Sequence, residues 1–141
     1  MGELLIYMDT NIYMDYFDGR TDRLRPLGEF AYQVLKRAIN CEFKIIISGL
    51  VLEELFYNTY EENIKRILSD FAANNKVIKI EASSEDIGRA RQIVKDRKTS
   101  FNDTLHAVLA KKANADFLVT RNLKDFYELQ DLAKLALPEN L

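Results

Sequence analysis

Short runs of aliphatic and β-branched residues, each ending within a few positions at polar ones, set the first constraint on this chain. Leu4 to Met8, Phe43 to Ile47 and Phe117 to Thr120 read as buried strands, and Val77 to Ile80 as a weaker fourth. Between them the period changes. Phe30, Val34, Leu35 and Ala38 fall at helical spacing, as do Tyr60, Ile64, Ile67, Leu68 and Phe71, then Ile87, Ala90, Ile93 and Val94, then Leu105, Val108 and Leu109. Apolar strands alternating with amphipathic helices predict βαβ units, because parallel strands need crossovers that cover both faces of the sheet. The expected fold is therefore a three-layer α/β/α single domain with a central parallel sheet. A last short strand is expected around Leu135 to Leu137, before Pro138, and Asp18 to Pro26 is the most loop-like stretch.

At 141 residues, positions 1–141 read as one unit, and two complete catalytic domains are excluded. Hydrophobic residues make up 48% of the chain, enough for a real core, without linkers, repeats or low-complexity stretches. The formal charge of -2 removes any general attraction to nucleic acid or a membrane surface, so an anionic substrate must be held locally. A single cysteine, Cys41, forms no internal disulfide and no four-cysteine zinc site; it suits a reducing cytoplasm and reads as a small buried hydrophobe. The start has an early acid, Glu3, and meets Asp9 after a short apolar run, unlike a signal peptide. No run approaches the ~18 apolar residues of a membrane span.

In open α/β folds ligands bind outside the carboxyl ends of the strands, so polar residues directly after strand-like runs are the candidates. Asp9-Thr10-Asn11 follows the first strand, either as an acid with Thr10 and Asn11 able to fix its oxygens or as a helix cap. After the second, Ser48 opens an apolar helix containing Leu50, Val51, Leu52, Leu55 and Phe56 that also carries Glu53 and Glu54. Such a helix is buried over most of its circumference, so at least one acid is expected near the core, where it needs a partner such as a metal ion; the alternative puts both at the solvent edge. The third place joins Asn102-Asp103-Thr104-Leu105-His106 to Val119-Thr120-Arg121-Asn122-Leu123-Lys124-Asp125-Phe126. Asp103, Ala107 and Ala110 share a helical face whose small residues permit close approach to the sheet. Ser100-x-x-Asp103 is equally a capping pattern, and Asn122 and Asp125 have cap spacing of their own. Carboxylates gathered at one sheet edge repel one another, and a hard divalent cation keeps them ionised; Mg2+ or Mn2+ is implied.

With these residues in this order, the chain resembles the PIN domain, the metal-dependent ribonuclease fold found in the toxins of VapBC-type toxin-antitoxin pairs. The likeness runs essentially end to end. It rests on Ile6-Tyr7-Met8-Asp9-Thr10-Asn11, on Ile47-Ser48 through Glu54-Leu55, on Asn102-Asp103-Thr104-Leu105-His106-Ala107, and on Leu118-Val119-Thr120-Arg121-Asn122 with Asp125-Phe126. The tail Leu137-Pro138-Glu139-Asn140-Leu141 resembles the family's ending as well. The resemblance implies that Asp9, Glu54 and Asp103 hold metal, with Glu54 preferred to Glu53 for its place directly before Leu55. It implies orienting roles for Asn11 and Thr120. The chain departs at Asn122, where many members carry a fourth acid; Asp125 or a bound water is the candidate to complete the catalytic set.

The implied reaction is hydrolysis of an RNA phosphodiester, leaving a 5′-phosphate and a 3′-hydroxyl, with metal activating water and neutralising the phosphate. Arg121 and Lys124 beside the site are the expected substrate-binding residues, and Arg89, Arg91, Lys95, Arg97 and Lys98 form the densest basic cluster. His106, a turn after Asp103, is read as a packing residue and not as a general base. Tyr7, Tyr13, Tyr16, Phe17, Phe56 and Tyr57 are read as core or dimer-contact aromatics. A small antitoxin protein and a homodimer are the partners the resemblance implies, with no membrane. Two other readings compete. The strand followed by Asp-x-Asn is also similar to aspartyl-phosphate phosphatases of the haloacid dehalogenase type, but no Gly-Asp dipeptide follows Asp9. A PIN-like module that binds RNA or protein without cutting is the other, kept open by Asn122.

Overall fold

A computed structural model describes residues 3–21, 24–40, 42–73 and 75–141, with 72 and 73 as backbone alone; Cys41 lies outside the described residues. Five strands form one parallel sheet: β1 (Leu4–Met8), β2 (Phe43–Ser48), β3 (Val77–Ile80), β4 (Phe117–Val119) and β5 (Leu135–Ala136), in the order β3-β2-β1-β4-β5. Among the described residues seven helices connect and cover it: α1 (Thr10–Asp18), α2 (Leu27–Ile39), α3 (Gly49–Tyr57), α4 (Glu61–Ala73), α5 (Ser84–Arg97), α6 (Phe101–Lys112) and α7 (Leu123–Phe126). Short 3-10 turns follow at Tyr127–Leu129 and Pro138–Asn140. The helices flank the sheet as an α/β/α sandwich.

β1 takes the centre because it is apolar on both faces: Ile6, Tyr7 and Met8 expose nothing. Ile6 registers with Ile45 on one side and Phe117 on the other, and Tyr7 with Ile46 and Leu118. The chain leaves β1 for β2 on one side and later adds β4 on the other. Strand order thus reverses at β1, and the crevice at its carboxyl end is a topological switch point.

Three strand ends differ slightly from the sequence expectation, each for a polar reason. β2 extends through Ser48, which registers with Ile80 and then caps α3 by accepting the Val51 N–H at 3.2 Å. β4 stops at Val119; Thr120 still donates its N–H to the Ala136 carbonyl at 3.0 Å, but its hydroxyl is drawn to neighbouring polar groups. β5 stops at Ala136, since Leu137 and Pro138 open the final turn.

The helices divide by depth. α6 is buried without interruption from Thr104 to Ala110 and packs on β4 and α5. α5 buries Ala90 alone and forms an outer layer, held by a capping box between Ser83 and Asp86. The loop expected from Asp18 begins one residue later, at Gly19, whose left-handed φ of 59° ends α1. α2 then returns so closely that a Cβ on Gly28 would sit 2.7 Å from the Asp15 carbonyl oxygen.

Candidate active site

Asp9 leaves the end of β1 with only 4% of its surface exposed, and its N–H donates to the Val119 carbonyl at 2.9 Å. It occupies the N-cap position of α1, yet its side chain makes no cap hydrogen bond. Instead Oδ2 accepts the Thr120 hydroxyl at 3.1 Å, and that same hydroxyl oxygen accepts the Asn122 N–H at 3.0 Å. The cap alternative therefore fails for the Asp9 carboxylate, which is turned toward the strand edge.

Glu54 and Glu53 separate clearly. Glu53 is exposed, whereas Glu54 is half-buried on α3 and fixed by three donors. Its Oε1 accepts the Thr10 hydroxyl at 2.7 Å and lies 2.7 Å from His106 Nε2; its Oε2 accepts from the Asn102 amide at 3.3 Å. Thr10 neighbours Asp9, and Asn102 neighbours Asp103, so donors from α1 and α6 converge on a carboxylate carried by α3. Asp103 is half-buried in the first turn of α6, where Ser100 caps the helix by accepting the Asp103 N–H at 3.2 Å.

Asp9 feels the charge of the other two acids. Burial pushes the Asp9 carboxyl up; His106 and the Thr120 hydrogen bond oppose this, while the charges of Asp103 and Glu54 reinforce it. For Glu54, burial also pushes upward, but the bonds from His106, Thr10 and Asn102 outweigh it and hold the carboxyl below its ordinary value. Among the described residues no lysine or arginine forms an ion pair with any of these acids. Neither do three His, Cys, Asp or Glu side chains, among the described residues, stand arranged to hold an ion as they are. The donor chemistry nonetheless fits one: hard carboxylate oxygens, one of them pushed up by burial and further by its neighbours' charge, favour a small divalent cation.

The remaining predicted residues scatter. Lys124 and Asp125 are exposed and share with Lys98, Ser100 and Asp103 a cleft that includes neither Asp9 nor Glu54. Asn11 is exposed on α1. Asn122 contributes its backbone N–H to Thr120, and its side chain makes no cap hydrogen bond. Arg121 turns away from the acids: Nε lies 3.3 Å from Asp15 Oδ2, NH2 lies 3.0 Å from Glu139 Oε1, and the guanidinium sits 5.5 Å from the Phe30 ring centre. Arg97 is similarly taken by Asp131 at 2.7 Å and the Glu128 carbonyl at 2.8 Å, while Arg89, Arg91 and Lys95 are exposed on α5.

His106, expected only to pack, is hydrogen-bonded within the site. It is 1% exposed, and Nδ1 lies 2.7 Å from the Tyr7 hydroxyl, which is in turn 2.7 Å from Ser48 Oγ. Tyr7 and Tyr13 belong to the core, Tyr16 stacks on Tyr32 and Phe17 on Tyr60, and Phe56 and Tyr57 are exposed on α3.

A five-stranded parallel sheet between helices, with Asp9 directly after its central strand, defines the class of this domain. The chain matches the PIN domain family over residues 6–132, and it belongs to that family. Solved structures of the same fold include VapBC2 from Rickettsia felis bound to a DNA fragment from its promoter, 24% identical, with 95% of this chain and 98% of that one covered at a TM-score of 0.67. A toxin-antitoxin complex from Klebsiella pneumoniae is 21% identical, covering 96% and 99% at 0.63, and VapBC-1 from nontypeable Haemophilus influenzae is 18% identical, covering 96% and 98% at 0.63. No curated protein matches the chain. Among the described residues no helix is long and apolar enough to cross a membrane.

Proposed function

We propose that this protein is a metal-dependent endoribonuclease, the toxin of a VapBC-type toxin-antitoxin pair. The observation that carries the reading is the set Asp9, Glu54 and Asp103: a buried acid after β1 that feels the charge of one acid on α3 and one on α6, with no lysine or arginine of the described fold paired to them. Asp9, Glu54 and Asp103 would hold Mg2+ or Mn2+, which when bound supplies an activated water and neutralises charge on the attacked phosphate. Thr120 orients Asp9 through its hydroxyl, and Asn122 fixes that hydroxyl from behind with its N–H. Thr10, His106 and Asn102 hold the Glu54 carboxylate. Lys124 and Lys98, which line the cleft beside Asp103, attract the RNA backbone, and Asp125 of the same cleft is the candidate acid to complete the set. Asn11 is left a site-orienting role at the open side. In-line hydrolysis at this edge leaves a 5′-phosphate and a 3′-hydroxyl.

The toxin assignment draws on the VapBC complexes among the structures of the same fold, and with it come a small antitoxin partner, a homodimer and a place in the cytoplasm. One observation favours a binding module that does not cut: Oε1 of Glu54 is already taken by Thr10 and His106. A labelled RNA pool decides between them, incubated with Mg2+ or Mn2+, with EDTA, and with Asp9→Asn and Asp103→Asn in parallel. Cleavage that disappears in EDTA and in both variants supports the nuclease. Wild type inactive with either metal, and variants identical to it, would leave the binding module.

A further inference from the structure

An apolar interior strand such as β1 has no need of a tyrosine, and an apolar buried helix such as α6 has no need of a histidine. Both are there, and each satisfies the other. Tyr7 and Ser48 are fully buried and His106 is 1% exposed, yet a continuous line of hydrogen bonds runs through them: Ser48 Oγ to Tyr7 OH at 2.7 Å, Tyr7 OH to His106 Nδ1 at 2.7 Å, His106 Nε2 to Glu54 Oε1 at 2.7 Å. The direction of the line follows from its end. A carboxylate only accepts, so Nε2 donates to Glu54. In a singly protonated imidazole Nδ1 then accepts the Tyr7 O–H, the Tyr7 oxygen accepts the Ser48 O–H, and the Ser48 oxygen is left to accept the Val51 N–H at 3.2 Å. Every buried polar atom on the path is used, and the Tyr7 and His106 rings meet edge-on with centres 5.6 Å apart.

The line also closes on itself. Ser48 caps the helix that carries Glu54, so α3 is held at its start by Tyr7 of β1 and in its middle by His106 of α6. Two donors at 2.7 Å occupy Oε1, while Oε2 has only the longer contact of 3.3 Å from Asn102. We infer that His106, keyed by Tyr7 and Ser48, is a positioning residue that fixes the Glu54 carboxylate with Oε1 inward, so that Oε2 is the oxygen offered to a divalent cation. The inference rests on the metal reading of the three acids. Partners that orient a ligand in this way commonly set affinity by ~10- to 100-fold.

Binding of Mn2+ alone to the full chain, followed by titration calorimetry without RNA, tests it. His106→Leu weakens Mn2+ binding by about 10-fold or more. Tyr7→Phe, which keeps the ring and removes only the hydroxyl, weakens it by about 5-fold, the worth of one hydrogen bond. His106→Gln, whose amide N–H replaces the Nε2 donor, restores binding to within about 3-fold of wild type, which mere packing at this position does not predict. Circular dichroism melts accompany each variant, and if His106→Leu fails to fold the Tyr7→Phe and His106→Gln pair still decides. Variants that bind Mn2+ like wild type, while Asp9→Asn does not bind it, overturn the positioning role and leave the metal site standing. Wild type that binds no Mn2+ overturns both.

Discussion

Two buried aspartates, at the start and in the middle of α1, receive opposite treatment from the fold. Asp9 and Asp15 are each 4% exposed, and burial pushes both carboxyls upward. Asp15 is answered by arginines: Arg121 Nε at 3.3 Å and Arg20 NH1 at 3.6 Å. Asp9 is answered by no arginine or lysine but by His106 and the Thr120 hydroxyl, and it faces two further acids. A buried charge paired inside the chain is a structural group, whereas one set among further acids is, on the proposed metal reading, held ready for a cation from outside. The arginine beside the site thus belongs to the first kind of acid, which is why Arg121 is a clamp between α1 and the last turn.

The widest gap between the two is in catalysis. Asp9→Asn is expected to lower RNA cleavage on the order of 10^3-fold, as removal of a directly participating group does; Asp15→Asn should change it by no more than about 3-fold once folding is matched. Equal loss in both would break the comparison. Stability runs the other way. Asp15→Ala takes from Arg121 one of its two carboxylate partners and is expected to cost about 2–3 kcal/mol in urea unfolding, less than a fully buried pair because Glu139 remains and Arg20 is 40% exposed. Arg121→Ala should cost a similar amount, and the double variant less than the sum, since both remove one contact.

Asp9→Asn, in contrast, removes an uncompensated buried acid and should stabilise the metal-free protein by about 0.5–2 kcal/mol, the exchange of stability for function seen at active sites. Added Mg2+ should raise the melting temperature of wild type and of Asp15→Asn, and leave Asp9→Asn unmoved. A metal-induced rise in Asp9→Asn equal to that of wild type would place the ion elsewhere.

The sequence made most of this frame legible because a parallel sheet buries both faces of its strands, and Leu4 to Met8 and Phe43 to Ile47 carry that signature undiluted. Ends were less legible. Thr120 is β-branched and reads as strand, but its hydroxyl serves Asp9 and Asn122 one residue past Val119. Periodicity alone could not separate Glu53 from Glu54, adjacent on a helix apolar nearly all round, and the structure separates them by exposure and by the donors from Thr10 and His106. The hydrogen bonds of His106 to Tyr7 and Glu54 were hidden because a lone histidine between Leu105 and Ala107 looks like packing. The available signal lay elsewhere, in Tyr7: a tyrosine inside an apolar strand must find a partner for its hydroxyl. Arg121 illustrates a partner hidden by distance along the chain. Its place beside Thr120 suggests a substrate contact, while its partner Asp15 lies too far off in sequence for any local pattern to reveal.

The smallest expected effect separates the two basic residues that bracket Asn122. Lys124 is exposed in the cleft with Asp103, so Lys124→Ala should weaken RNA binding by only a few-fold while lowering the slope of log affinity against log salt by ~1, the mark of one lost phosphate contact. Arg121→Gln, measured at a temperature where circular dichroism shows it folded, should leave that slope where it was, because its charge is spent on Asp15 and Glu139. Salt dependence is the right measure, since a destabilised clamp lowers the active fraction at every salt concentration without changing the slope. If Arg121→Gln flattens the slope as Lys124→Ala does, the guanidinium swings out to the RNA, and Asp15 is then a resting place for a substrate-binding arginine instead of its permanent partner.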